Sequence, residues 1–435
     1  MSNPIIDART ERTGWFLEDR FGMFIHWGIY SIPARGEWLR NNERTALEDY
    51  QVYFDEFDPV CYDPKKWASL AKEAGMKYAV LTAKHHDGFC LFDSKLTDYK
   101  STNTKCRRDL VREYLDAFRS EGIKVGLYYS LLDWHHPDYP HFNDRIHPMR
   151  GNPDYPDEGR NWQNYIEYFH GQVKELLTNY GKIDIMWFDF SYDDMAGEKW
   201  EATKLMNMIR SIQPWIIVDN RIEGAGETYG SIITDDPKIY SGDFASPEQM
   251  IPPHGMTDIH GNSIPWESCM TLNDHWGYCA HDNHYKSPKM VVRNLVECVS
   301  KNGNMLLNVG PNAKGEIPVQ SVKILKEVGR WMRENHESIY GCGISAMSKP
   351  DWGRYTQKGN KLYAHIFEEC TNAVALDINP NRIEKVRLLS DGSEIKVELP
   401  WNAVAFPDLS FFTFRGQSFP LPDEIDTVVE ITLKE

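Results

Sequence analysis

The stretch Ile183-Asp184-Ile185-Met186-Trp187-Phe188-Asp189 decides the fold. It is an apolar, β-prone run that ends in an aromatic pair and a carboxylate. A fully buried parallel strand reads as a near-continuous apolar run, and the first ionisable group at its C-terminal tip stands where a barrel opens to solvent. Asp189 fits that position. An Asp after a strand also suits a helix N-cap, so the choice depends on whether the rest of the chain builds a barrel around it.

From about residue 20 to residue 335 strand-like and helix-like segments alternate, without a repeat, a low-complexity tract or a long linker. The strand candidates are Gly22 to Trp27, Lys77 to Thr82, Lys124 to Ser130, Ile183 to Phe188, Trp215 to Val218, Ile239 to Phe244, Cys269 to Leu272 and Asn304 to Val309. Eight is the number a (β/α) barrel needs. Between them Trp67, Leu70, Ala71 and Ala74 fall on one helical face, and Leu110, Val111, Tyr114, Leu115 and Phe118 form another behind the N-cap Asp109. Gly122 and Gly181 stand where helices end. The sixth and seventh strands are weakly marked, which points to an irregular barrel. From Gly341 onward short alternating runs such as Lys361 to Phe367, Ala373 to Asp377, Lys385 to Leu389 and Thr427 to Leu433 predict an antiparallel β-sandwich. The expected division is therefore an α/β catalytic barrel over 1–340 and a supporting β-sandwich over 341–435.

Composition narrows the function. The formal charge of −16, from 48 basic and 64 acidic residues, argues against nucleic acid or an anionic membrane as partner, because either requires a basic face. Fourteen Trp and 22 Tyr suit a neutral ligand with an apolar face, such as a sugar. The N-terminus lacks a charged region followed by an apolar one, and no segment approaches eighteen consecutive apolar residues, so a cytoplasmic protein is expected. Eight scattered cysteines form no C-x-x-C pair, which predicts free thiols rather than a zinc site or a disulfide framework.

Chemistry-bearing side chains gather at the expected strand tips. The first strand ends in His26-Trp27-Gly28 and leads to Gly36-Glu37-Trp38. The second ends in Lys84-His85-His86-Asp87, and the third in Tyr128-Tyr129-Ser130. The fourth brings Trp187 and Asp189, the fifth Asp219, Asn220 and Arg221, and the sixth Asp243 and Glu248. All belong to the C-terminal face of a barrel, where catalysis occurs.

With these residues in order, the chain resembles the α-L-fucosidases of glycoside hydrolase family 29. The matching motifs are Phe21-Gly-Met-Phe-Ile-His-Trp-Gly28, Gly36-Glu-Trp38, Lys84-His-His-Asp-Gly-Phe89, Gly126-Leu-Tyr-Tyr-Ser130, Trp187-Phe-Asp189, Gly242-Asp-Phe-Ala-Ser-Pro-Glu-Gln249, Trp266-Glu-Ser-Cys-Met270 and Asn304-Met-Leu-Leu-Asn-Val-Gly-Pro311. The resemblance implies a retaining exo-hydrolase that releases L-fucose from fucosylated oligosaccharides or glycoconjugates, with no cofactor and no metal. Retention requires two carboxyl groups roughly 5 to 5.5 Å apart. The resemblance makes Asp189 the nucleophile and Glu248 the acid/base, with Glu267 and Glu37 as rivals for the second role. By the same resemblance His26, Glu37, Trp38, His85, His86, Tyr129, Trp187, Arg221 and Trp266 bind the sugar. In Gly126-Leu-Tyr-Tyr-Ser130 one tyrosine must face the barrel and the other the helices. Two other classes compete: a barrel metallohydrolase using His85 and His86, and a catalytically silent fucose-binding lectin. The segments Asp133-Trp-His-His136 and Pro252-Pro-His254 are candidates for contacting the leaving group.

Overall fold

The structure, a computed structural model, describes residues 3–224, 228–371, 373–414 and 419–434. Seven parallel strands form one curled sheet: β1 (Phe21–Ile25), β2 (Tyr78–Lys84), β3 (Lys124–Ser130), β4 (Ile185–Asp189), β5 (Ile217–Val218), β6 (Glu267–Thr271) and β7 (Asn304–Val309), in the order β5-β4-β3-β2-β1-β7-β6. Their residues are almost all buried, as expected of strands covered on both faces.

Helices pack outside the sheet in the places the sequence marks. Asp63 caps Pro64–Glu73 and Asp109 caps Leu110–Ser120, the latter by accepting from Arg112 N at 3.0 Å. The N-terminal helix Pro4–Asp19 closes the bottom, and its Phe16 joins Phe24, Tyr78, Val80, Tyr128, Ile185, Trp187, Ile217 and Leu306 in the core inside the barrel. Among the described residues no helix is long and apolar enough to cross a membrane, and Cys61, Cys90, Cys106, Cys269, Cys279, Cys298 and Cys342 are free thiols.

The expected sixth strand does not form. Ile239 to Phe244 contributes a single residue to pairing, through a bridge between Asp219 and Phe244. Gly242 takes φ +81°, and a Cβ there would lie 2.3 Å from the Asp219 carbonyl oxygen, so the chain must bend sharply past β5. The Asp243 carboxylate fills part of the ladder, accepting from Val218 N at 2.8 Å while paired with Arg12 and Arg210. Asp243 thus fastens the wall to the N-terminal helix and does not line the catalytic face. Beyond it, residues 245–249 run beside β6 through bridges Ala245↔Trp266 and Glu248↔Cys269. The gap between β5 and β6 is closed by this irregular segment, so the barrel is an incomplete version of the eight-stranded form.

After the barrel come β8 (Gly353–Lys358), β9 (Lys361–Ile366), β10 (Val374–Leu376), β11 (Ile383–Leu388), β12 (Ser410–Phe412) and β13 (Thr427–Leu433). They form a four-stranded antiparallel sheet β11-β13-β9-β8 and a two-stranded one, β10-β12, around a core of their own. A buried hydrogen bond ties this unit to the barrel: Trp331 donates to the Asp426 carbonyl at 2.9 Å, while the Asp426 side chain meets His365 Nδ1 at 2.7 Å within the unit.

Candidate active site

Register decides which side chains enter the barrel. Gly126 pairs with Ile185, Tyr128 with Trp187 and Ser130 with Asp189, so Tyr128 shares the inward face of Trp187 and Asp189. Tyr129 points outward, where its hydroxyl donates to Gln172 at 2.7 Å and its ring stacks on Phe169. The expectation that Tyr129 faces the site is therefore corrected: Tyr129 lies behind the sheet, and Tyr128 is the tyrosine on the cavity side.

At the strand tips lies a cavity of about 310 Å³ lined by Phe24, His26, Glu37, Trp38, His85, Tyr128, Arg145, Ile146, Trp187, Asp189, Phe190, Ser191, Tyr192, Arg221, Glu248, Cys269 and Trp276. A larger open groove of about 1260 Å³ runs over the outer helices Pro64–Glu73 and Leu110–Ser120 and holds none of these residues.

One guanidinium organises the two carboxylates. Arg221 Nη1 donates to Asp189 Oδ1 at 2.7 Å and to Glu248 Oε2 at 2.9 Å, so these two oxygens lie no more than 5.6 Å apart. Arg221 is itself fixed, with Nε on Ser246 Oγ at 3.0 Å and Nη2 on the Ser246 carbonyl at 3.1 Å, above the Trp187 ring. Ser246 is held in turn by Asn220 Oδ1. Asp189 Oδ2 accepts from the Tyr128 hydroxyl at 2.9 Å. Burial pushes the Asp189 carboxyl up; Arg221 pulls it down, Glu248 pushes it further up, and the net position is above the ordinary carboxylate range.

The backbone presents both groups in the same way. Phe190, after Asp189, has φ 77°, and Gln249, after Glu248, has φ 53°. Each left-handed residue turns the chain away behind its carboxylate, at a cost of about 1 to 3 kcal/mol that the surrounding structure must hold. Glu248 is not on a free loop: Cys269 N donates to the Pro247 carbonyl at 3.1 Å and Gln249 N to the Cys269 carbonyl at 2.9 Å, pinning it to β6.

The rivals sit differently. Glu267 points into the barrel beneath the cavity, fully buried, accepting from Trp187 Nε1 at 3.4 Å and from the Tyr78 hydroxyl. Burial pushes its carboxyl up to about 7. Glu37 lines the cavity but its Oε2 is engaged by Gly277 N at 2.7 Å, and burial raises its carboxyl too.

The histidines stand in two ranks. His26 Nδ1 lies 2.7 Å from Asn308 Oδ1, and Asn308 Nδ2 donates to the Trp276 carbonyl at 2.7 Å. With the Asn308 amide so oriented, His26 carries its proton on Nδ1 and leaves Nε2 as an acceptor for the cavity. Burial drops its imidazole to about 3, so it is neutral at working pH. His85 lines the cavity and stacks on Tyr128, while His86 is fully buried behind it, stacked on Trp134 at 3.9 Å. Burial also holds both of these rings well below the ordinary histidine range.

Trp266 faces away, donating to the Lys301 carbonyl at 3.1 Å, and is not a lining residue. Asp133-Trp-His-His136 is structural: Asp133 pairs with buried Lys84 at 3.0 Å and accepts from His135 N and His136 N. Pro252-Pro-His254 also lies outside the lining. Among the described residues no three His, Cys, Asp or Glu side chains converge as a metal shell would require.

A family model described as Alpha-L-fucosidase matches residues 5–337. The chain belongs to the α-L-fucosidase family. The solved structure of α-L-fucosidase isoenzyme 1 from Paenibacillus thiaminolyticus is 62% identical, with a TM-score of 0.95 covering 98% of this chain and 100% of that one. A GH29 α-L-fucosidase from Bacteroides thetaiotaomicron, solved as a trapped covalent intermediate with 2-fluoro-fucosyl fluoride in a glutamate-to-glutamine variant, is 27% identical at a TM-score of 0.82, covering 100% of this chain and 97% of that one. The curated α-L-fucosidase of Dictyostelium discoideum is 29% identical over 425 residues, 89% of this chain and 86% of the relative.

For an α-L-fucosidase the aromatic share of this cavity is apt: Phe24, Trp38, Tyr128, Trp187 and Trp276 can pack on the C–H faces of a deoxy sugar. Sequence reasoning missed Phe24, Arg145, Tyr192 and Trp276. Phe24 was available from parity, two residues before His26 on the same strand face; Trp276 lies in a loop whose residue pattern carries no period.

Proposed function

We propose that the chain hydrolyses terminal α-L-fucosides with retention, Asp189 acting as nucleophile and Glu248 as acid/base. The observation that carries this reading is the single Arg221 nitrogen bonded to both carboxylates, which sets their accepting oxygens within 5.6 Å, the spacing of a double displacement and short of the roughly 6.5 to 9.5 Å that an inverting pair needs for a water between them. Asp189 Oδ1 is held by Arg221 and by Phe190 N at 3.0 Å, while Oδ2 meets Tyr128 alone among the described residues and keeps a lone pair for attack. In the first step Oδ2 bonds to the anomeric carbon as the glycosidic bond breaks, and the leaving oxygen takes the proton of Glu248. In the second a water gives a proton back to Glu248 and attacks the same carbon, releasing fucose and regenerating the Asp189 carboxylate. His26, His85, Glu37 and Trp38 hold the hydroxyls, and Trp187 and Trp276 pack on the ring. Proton NMR of the first-formed sugar tests this: α-L-fucose must appear before mutarotation, and β-L-fucose first would refute it.

A further inference from the structure

A second cavity of about 300 Å³ abuts the first and shares two wall residues with it, Arg145 and Tyr192. Its near wall is the loop after β4. Tyr192 and Met195 exchange backbone hydrogen bonds at 3.1 and 2.9 Å, making a tight turn with Asp193 and Asp194 at its tip, five residues beyond Asp189. The turn is anchored: the Tyr192 hydroxyl donates to buried Asp144, Arg145 lies over the Tyr192 ring at 4.6 Å, and Asp193 pairs with Arg145 at 3.3 Å. The far wall comes from the long loop after β3, which brings Asn143, and from Trp162 at the start of the helix Trp162–Asn179 that follows it. Among the described residues the Asp194 carboxylate and the Asn143 side-chain amide have no protein partner, while the neighbouring Asp157 and Asp144 are saturated by backbone and tyrosine donors.

The geometry points to this cavity as the subsite for the sugar that leaves with the aglycone, and to a neutral pyranose as its occupant. The assignment rests on the fucosidase reading above. An exo-acting enzyme holds a terminal residue in the catalytic pocket, so any further sugar in contact with the protein belongs to the leaving group. The volume matches that of the fucose pocket, the partly exposed Trp162, with Lys199 Nζ 5.2 Å over its ring, forms part of the wall, and Asp194 and Asn143 offer free acceptors and donors for hydroxyls. Five aspartates against two arginines and one lysine line the cavity, which disfavours an anionic sugar.

The test compares an aryl α-L-fucoside, which carries no second sugar, with a neutral fucosylated trisaccharide and its sialylated counterpart. Asp194→Ala is expected to lower kcat/KM on the neutral trisaccharide roughly five- to tenfold, the effect of one or two lost hydrogen bonds, and to leave the aryl fucoside within about twofold. Asn143→Trp, which fills the cavity from an exposed position, is expected to do the same more strongly. The sialylated trisaccharide should be the poorer substrate of the wild type, and better tolerated by Asp194→Ala. Equal effects on aryl and trisaccharide substrates, or none on either, would overturn the subsite; wild-type preference for the sialylated substrate would overturn the neutral occupant. A wild type inert on the aryl fucoside would instead refute the fucosidase reading itself.

Discussion

Replacing Arg221 by Met should move the pH–rate profile, because it removes the one cation that Asp189 and Glu248 share. Arg221 Nη1 lies 2.7 Å from Asp189 Oδ1, and opposite charges about 4 Å apart in an effective dielectric near 20 attract by about 4 kcal/mol. Water entering the space the guanidinium leaves recovers part of this, which leaves about 1.5 to 3 kcal/mol, or about one to two pH units, on Asp189. The sign follows from the roles. The acidic limb of kcat/KM reports the nucleophile, which must be ionised, and the alkaline limb the acid/base, which must be protonated. Without Arg221 the Asp189 carboxyl holds its proton to higher pH, so the acidic limb shifts alkaline by about one to two units while the maximum falls. The assay is kcat/KM of an aryl α-L-fucoside from pH 4 to 9. Arg221→Lys, which keeps the charge and loses the fork, should shift that limb less. An acidic limb that stays in place in an active Arg221→Met enzyme would refute the coupling.

Glu248→Ala should give a burst with an activated aryl fucoside, azide rescue and a fucosyl azide of retained configuration, whereas Asp189→Gly should nearly abolish turnover of every substrate; stopped-flow and product analysis distinguish them. Tyr128→Phe removes a hydrogen bond to the nucleophile worth about 1.5 to 3 kcal/mol, so kcat/KM should fall roughly 10- to 100-fold, while Tyr129→Phe should cost about 1 kcal/mol in urea unfolding and leave kinetics near wild type. Buried Glu267 is held protonated to about pH 7 against an ordinary value of 4.5, so its contribution is fully present below pH 4.5 and is lost as pH rises through 7. Glu267→Gln keeps an acceptor for Trp187 and should gain about 3 kcal/mol relative to wild type across that window by calorimetry.

The strands of the barrel were legible because a strand buried on both faces must be apolar throughout: Lys124 to Ser130 and Asn304 to Val309 match the observed bounds, and Ile183 to Phe188 differs from β4 by one or two residues at each end. Ile239 to Phe244 misled because its apolar residues do other work: Ile239 is 39% exposed, and the bend at Gly242 hands the pairing to the Asp243 side chain. The resemblance supplied Asp189, Glu248 and Arg221, which the structure brings together. It could not orient Tyr128 against Tyr129, a matter of register parity set by Ile185 and Trp187 across the sheet. Trp266, though aromatic and beside an acid, turns outward because β6 begins at Glu267 and alternation puts Glu267 inside. Arg145, Tyr192 and Trp276 enter the cavity from loops, where no periodicity marks which side chain points inward.

The most direct measurement is to trap the glycosyl-enzyme with 2-deoxy-2-fluoro-α-L-fucosyl fluoride and map the labelled peptide by mass spectrometry. One fluorofucosyl unit per chain on Asp189 is expected. Labelling of Glu248, Glu37 or Glu267 instead would contradict the nucleophile assignment, and turnover with no covalent adduct and β-L-fucose as first product would contradict double displacement itself.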